Sequence, residues 1–333
     1  MRFGLWVNLQ YPVGSAAVEF ERRLELILMA RDLGYTSFWA GQHFLAEPYQ
    51  QMQLVPALAR ISAEVPGVTI GTMVLLLPLY QPVLAAEELA TLDIITGGKL
   101  VVGVALGYRD IENETLGSPA NERLGRFRES LDILNGLWKG EPFSYEGRYF
   151  RIPECQPTLI PIQRPRPPIW LAANSDGAVR RAARLGDAWA IAPHSPLPVL
   201  KRQMSLYKEE RVQHGLAVPD VVPIRREVYV APTHEEAWQQ AAEYLGPKYA
   251  TYRKWGQHTV LPEDDDFAED FAALARERFI IGSPDEVIET LTRYRDELGV
   301  TDVMMTSDRA GMPYELSQRC VRLVGEKVIP ALT

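Results

Sequence analysis

Apolar residues recur along this chain in two periods that take turns. Short runs rich in β-branched residues, such as Val68 to Leu77 and Lys99 to Ala105, alternate with stretches where apolar positions return every three or four residues. The first pattern is that of buried strands and the second that of amphipathic helices. Val68 to Gly107 holds one full cycle. Its opening run is too short to cross a bilayer, and Pro78 and Pro82 punctuate its exit. Ala85, Leu89 and Leu92 then form a helical stripe that Gly97-Gly98 stops. Strand, helix, strand in this form predicts two parallel neighbours with the helix packed on the sheet.

The cycle repeats along the chain. Phe3 to Leu9, Thr36 to Ala40, Ile169 to Ala173, Asp187 to Ala192, Val222 to Val230 and Thr301 to Thr306 read as further strands. Helices are predicted over Glu19 to Leu33, through Leu124 to Trp138, over Asp176 to Leu185, around Leu200 to Tyr207 and from Leu316 to Val328. Ser283-Pro284-Asp285-Glu286 forms a capping box with proline at the first helical position. Eight strands alternating with helices predict an α/β fold, a parallel (β/α)₈ TIM barrel in a single domain over 1–333. Two irregular stretches, near 140–168 and 233–280, are expected as insertions. An open doubly wound sheet is the rival architecture. It normally carries GxGxxG after the first strand, and Val7 to Gly14 lacks it.

Composition narrows the function classes. Thirty-five basic residues against 43 acidic ones give a net charge of −8 spread through 333 residues, which argues against nucleic acid or an anionic membrane as the main partner. The acidic run Glu263 to Asp266 reads as a solvated loop. Two distant cysteines and five scattered histidines form no metal-ligand spacing, so no protein-bound metal is expected. The opening MRFGLWVNLQ reads as a strand, not as a signal peptide, and the expected location is cytoplasmic.

In a barrel of this kind active sites gather at the C-terminal ends of strands. Those ends offer Asn8, Gln42-His43, Leu106 to Arg109, Asn174 to Gly177, His194, Arg225-Arg226 and Ser307 to Arg309. Small and polar residues at Asn174 to Ala178 sit between a strand and a helix, where free N–H groups cradle phosphate; ordinary N-capping by Ser175 or Asp176 reads equally well. His43 is placed to act as acid, base or donor, or to hold a loop. The arginines are placed to meet an anionic ligand or to form ion pairs. No acid pair and no nucleophile–base pair stands out, which points to a cofactor as the source of the reactive group.

The segments FWAGQHF (Phe38 to Phe44), GTMVLLLPLYQP (Gly71 to Pro82), LDIITGGKLVVGVALG (Leu92 to Gly107), the Arg123 to Trp138 helix, Pro168 to Asp187, GSPDEV and EKVIP occur in this order and spacing. The chain thereby resembles the bacterial luciferase-like flavin-dependent oxidoreductases along nearly its whole length. The resemblance implies a TIM barrel with insertions, a homodimer, and reduced FMN or the deazaflavin F420 in the barrel mouth. It implies a flavin ring against Met73, Val74 and Leu75, with a non-proline cis peptide at Val74–Leu75 and Tyr108 among the cofactor contacts. Phosphate would sit on Asn174, Ser175, Gly177 and Ala178. His43 and Gln42 would face the reacting side of the ring, Asn8 and Arg226 the substrate, and the interruption after the seventh strand would be a mobile lid. Two positions depart from the family pattern. Gln42 stands where histidine or aspartate is common and cannot ionise. Leu106 stands where luciferases carry a phosphate-binding arginine, leaving Arg109 or a strand-seven arginine to substitute. The implied activity is oxygenation of a small organic substrate with reduced FMN and O₂, the flavin being supplied by a separate reductase. An F420-dependent hydride transfer and flavin binding without turnover are the alternatives.

Overall fold

The computed structural model describes residues 1–262, 267, 268 and 270–333. The acidic run Glu263 to Asp266 therefore lies outside the described residues. Nine strands form one sheet: Arg2–Trp6, Ser37–Ala40, Thr69–Leu76, Leu100–Ala105, Ile169–Ala172, Ala188–Ala190, Pro223–Val230, Ile280–Gly282 and Asp302–Thr306. Every pairing within it is parallel. From one edge the order is Ala188–Ala190, Ile169–Ala172, Leu100–Ala105, Thr69–Leu76, Ser37–Ala40, Arg2–Trp6, Asp302–Thr306, Pro223–Val230 and Ile280–Gly282. A parallel bridge between Ile191 and Ile224 brings the first edge back onto the eighth member, so the sheet curls on itself.

The eight anticipated strands are all present. The ninth, Ile280–Gly282, falls in what reads as the end of the second insertion. It pairs with Val228 to Val230 and runs directly into the helix Pro284–Leu298. Three residues are too few for a period to register, so pattern alone could not find it. That helix begins as expected, with both arms of the Ser283–Glu286 capping box formed.

Helices cover the outer face of the sheet and share one large core with it. A smaller apolar cluster fills the inner face, with Trp6, Trp39, Met73, Trp170 and Met304 at its centre. Trp39 stacks on Trp170 at 5.0 Å between ring centroids. Gly71 makes room for it, since a Cβ there would lie 2.0 Å from the Trp39 ring. The first insertion is an antiparallel hairpin of Phe143–Glu146 and Arg151–Cys155. The second carries the helix His234–Lys254 and short helical pieces at Gln257–Val260 and Phe271–Ala275. Among the described residues no helix is long and apolar enough to cross a membrane.

Candidate active site

A cavity of about 450 Å³ opens at the C-terminal ends of the strands. Its floor is the third strand, where one extra residue breaks the register between Thr72 and Leu75. Trp6 donates its indole N–H to the Met73 carbonyl at 3.0 Å. Gly41 and Gly103 flank the bulge, and a Cβ on them would lie 2.9 Å from the Met73 carbonyl oxygen and 2.1 Å from that of Thr72. Only glycine lets both neighbouring strands approach so closely. The non-proline cis peptide is Met73–Val74, one residue earlier than the expected Val74–Leu75. The bulge decides this difference: Met73 and Val74 fall within the register break and line the cavity. Leu75, back in register opposite Val104, is turned into the outer core and does not line it.

One end of the cavity is lined by Asn174, Ser175 and Ala178. The helix Asp176–Leu185 starts here without a side-chain cap at Ser175, and its first internal acceptor serves Val179. The N–H groups of Asp176, Gly177 and Ala178 therefore point from a positive helix terminus without a backbone partner. The Asp176 carboxylate does not fill that role, because Arg202 and Gln203 hold it at 2.6 and 3.0 Å. Gly177 is exposed and does not itself line the cavity. One turn further on, Arg181 lines the cavity with no hydrogen bond or ion pair among the described residues. Burial, with Arg128 and Arg184 nearby, pushes its pKa down. Arg123 also lines this region and donates to the Gly107 carbonyl at 3.2 Å.

Arg109 does not take the place of the missing arginine at Leu106. Its guanidinium is buried, donates to the Phe44 and Leu45 carbonyls at 2.6 and 3.0 Å, and stacks 4.1 Å from the Trp255 ring centroid. That loop, with its left-handed Leu45, leaves carbonyls that a buried cation satisfies.

The next strand exit carries Gln42 and His43. The Gln42 amide donates to the Tyr80 hydroxyl and Gln53, and its oxygen accepts from the Leu76 N–H at 3.2 Å. It ties two strand exits together, and both of its donor hydrogens are engaged. His43 Nδ1 lies 3.0 Å from Glu112 Oε1, which also accepts from the Phe44 N–H at 2.8 Å and from Arg109 at 3.2 Å. Glu112 is 1% exposed. Its carboxylate favours the tautomer with the proton on Nδ1, and the His43 side chain lines the cavity. The ring sits among Tyr108, Tyr252 and Trp255. Burial raises the pKa of the Tyr108 hydroxyl well above its ordinary value, with Tyr252 and Glu112 adding to it, and that hydroxyl has no hydrogen-bond partner among the described residues.

Across the cavity stand Trp6, His194 and Arg225. Alternation along the strand places Arg225 inward and Arg226 outward. Arg226 is fully buried away from the cavity, donating to the Ala192 and Ser195 carbonyls at 3.2 and 3.1 Å. Asn8 is likewise outside it, bonded to the Gln10 backbone and lining a separate cavity of about 100 Å³ with Lys248 and Arg309. Burial and the neighbouring Arg225 drive the His194 pKa well below 6.5, so this imidazole is neutral. Among the described residues, no group of His, Cys, Asp and Glu side chains is arranged to hold a metal ion.

The sequence model for luciferase-like monooxygenases matches residues 1–302. The chain belongs to the luciferase-like monooxygenase family. It is 26% identical to the oxygenase component of a flavin-dependent trigonelline monooxygenase from Acinetobacter baylyi, over all of this chain and 96% of that protein. It is 25% identical to an F420-dependent glucose-6-phosphate dehydrogenase from Microbacterium testaceum, over all of this chain and 97% of the other. In fold it matches the oxygenating constituent of the 3,6-diketocamphane monooxygenase of Pseudomonas putida, solved with FMN. The TM-score is 0.82 at 21% identity, covering 99% of this chain and 98% of the other. An oxidoreductase of this family is therefore supported for the chain, and relatives divide between flavin-dependent oxygenases and F420-dependent dehydrogenases.

The luciferase-like frame also shows which residues pattern reading passed over. Glu112, Arg123 and Arg181 lie on helices, where charged residues are ordinarily solvated, and nothing in their spacing marks them. Arg123 and Arg181 fall in segments whose order is distinctive, but only the fold brings their side chains to the cavity.

Proposed function

We propose that the protein is a monooxygenase that uses reduced FMN and O₂ to oxygenate a small organic substrate, with FMN bound in the cavity described above. The observation that carries this reading is the pairing, at one end of the cavity, of Arg181, a cation with no described partner, with the N-terminus of the helix Asp176–Leu185, whose first N–H groups have no backbone partner among the described residues. A half-buried cation without a partner is stabilised by an anion that meets it, and a phosphate monoester fits both the charge and the donors. Asn174, Ser175, Ala178, Arg181 and Arg123 would hold that phosphate. Met73, Val74, Leu76 and Leu106 would face the ring, with His43 beside it. Gly177 would contribute its backbone N–H, and Leu75 would support the floor from behind.

Reduced flavin, when bound, supplies the electrons that activate O₂. The chain's own work is to exclude water with the apolar floor, to orient the ring, and to hold or accept a proton at His43 Nε2 while Glu112 stabilises the imidazolium. Gln42 positions the floor by its bond to Leu76 and takes no proton.

We read the curled sheet as an eight-stranded barrel with Ile280–Gly282 as an added edge, in one domain. The exposed Val83, Leu84, Ile94 and Ile95 of the helix Pro82–Ile95 form the face on which a second copy would pack, and a soluble cytoplasmic homodimer served by a separate reductase is the expected assembly. Light scattering at micromolar concentration checks the dimer. The F420-dependent reading is favoured by the full-length likeness to a dehydrogenase of that kind, and His43 with Glu112 suits hydride chemistry as well. Anaerobic titration with reduced FMN and with F420 separates the two. The reading requires FMN to bind at least tenfold more tightly. Tighter F420 binding overturns it, and FMN binding without any oxygenated product leaves flavin storage.

A further inference from the structure

We propose that the cavity wall formed by Arg225 selects a small organic anion, a carboxylate or sulfonate, as the molecule acted upon. As a statement about substrate this rests on the monooxygenase reading, whereas the anion preference is a property of this wall alone.

Arg225 is 8% exposed, and its Nε donates to the Thr306 hydroxyl at 3.0 Å. Its guanidinium carbon lies 3.6 Å from the Trp6 ring centroid, so the indole covers one face. Neither terminal nitrogen makes a hydrogen bond among the described residues, and the nearest carboxylate oxygen, on Glu227, is 3.6 Å from Nη2. The guanidinium is fixed in place, lines the cavity and keeps its paired donors unspent. Planar, forked donors of this kind match a carboxylate or sulfonate.

The charge behind this wall has the same sign. Glu227 is fully buried and is shared by three cations: Lys248 at 2.7 Å, Arg309 at 2.9 Å and Arg225 at 3.6 Å. The adjoining Arg23, Asp308 and Glu19 return one negative charge but line neither cavity. His194, which also lines the cavity, is neutral and leaves Nδ1 without a partner among the described residues. A neutral, apolar substrate would leave the Arg225 donors buried and unpaired, whereas an anion supplies both the missing acceptor and the missing charge.

The test uses the apoprotein with three probe pairs of like shape: acetate and acetamide, benzoate and benzamide, benzenesulfonate and benzenesulfonamide. Binding is followed by calorimetry and by intrinsic tryptophan fluorescence, in an Arg181→Gln background that removes the unpaired cation at the other end, and the Arg225 variants separate this wall from what remains there. At least one anion should bind tenfold or more tightly than its neutral partner. Arg225→Gln should abolish that preference, and Arg225→Lys should keep most of it. Equal binding within every pair overturns the proposal, as does a preference unchanged in folded Arg225→Gln. If Arg225→Gln does not fold, the comparison within pairs and the Arg225→Lys variant decide. If the wild-type protein discriminates anions yet binds no FMN, the monooxygenase reading falls and this site stands.

Discussion

At one end of the cavity Asn174, Ser175, Ala178 and Arg181 come from a single strand–turn–helix segment and use backbone N–H groups. At the other, His43 meets Glu112 from 69 positions away, and Arg225 meets Thr306 from 81. The first end is local and lies near the surface; the second is a set of buried side-chain networks joined only by the fold. Electrostatics differ accordingly. The local end keeps a partly exposed cation with no described partner, while the distant end packs buried charges of both signs together with the positive in excess, a far more demanding arrangement.

The largest expected effect breaks the buried network. Burial alone would raise the Glu227 carboxyl, but Lys248, Arg309 and Arg225 bring it down to about 2. Glu227→Gln leaves those cations uncompensated and should cost about 3–5 kcal/mol in urea unfolding. Loss of less than about 1 kcal/mol would show that the network is no structural keystone. The local end should behave differently. A Cβ at Gly177 meets nothing within 4 Å, so Gly177→Glu should fold normally yet set an anion against the phosphate. FMN binding should weaken well over tenfold, about 1.4 kcal/mol or more, and unchanged affinity in titration would remove the phosphate from this turn.

Next in size is a split between binding and turnover. His43→Ala should lower turnover at least tenfold with any accepted substrate while FMN affinity changes little. Glu112→Gln should act in the same direction, because the amide still accepts from Phe44 but no longer stabilises a charged imidazole. Loss of FMN binding in His43→Ala would make this histidine a cofactor anchor.

The smallest effect on ligand affinity is a pH dependence confined to the distant end, where stability titrates as well. Burial pushes the Lys248 ammonium down to about 7 against the pull of Glu227, with Arg225 and Arg309 adding to the depression. His194, Tyr249 and Tyr252 are the other titratable groups coupled to this network, and Glu243 lines the smaller cavity beside Lys248. A lysine whose folded pKa is depressed binds its proton less readily than in the unfolded chain, so stability should rise between pH 7 and 10. Benzoate binding at Arg225 should move the other way and weaken about threefold from pH 6 to 8.5 as the Lys248 charge is lost. A flat profile would place Lys248 outside this site.

Legibility in the sequence followed the same division. The eight strands, the capping box and the helix turn at Asn174 to Ala178 are local patterns, and each appears where its residues predict it. The cis peptide was displaced by one residue because a bulge shifts the register, and the bulge is set by Gly41 and Gly103 on neighbouring strands. Arg226 is expected at the substrate from the sequence, whereas strand alternation turns Arg225 into the cavity and buries Arg226 away from it. Glu112 carried no signal at all, because its role is created by a contact across the fold.

The central claim is that Arg181 and the turn before it hold the phosphate of a flavin whose ring reaches toward His43. Comparing reduced FMN with reduced riboflavin, which lacks only that phosphate, tests it in wild type and in Arg181→Gln under anaerobic conditions. The account predicts that wild type prefers FMN by at least tenfold, that Arg181→Gln loses most of this preference, and that riboflavin affinity is the same in both. An equal preference for FMN in the two proteins would contradict it.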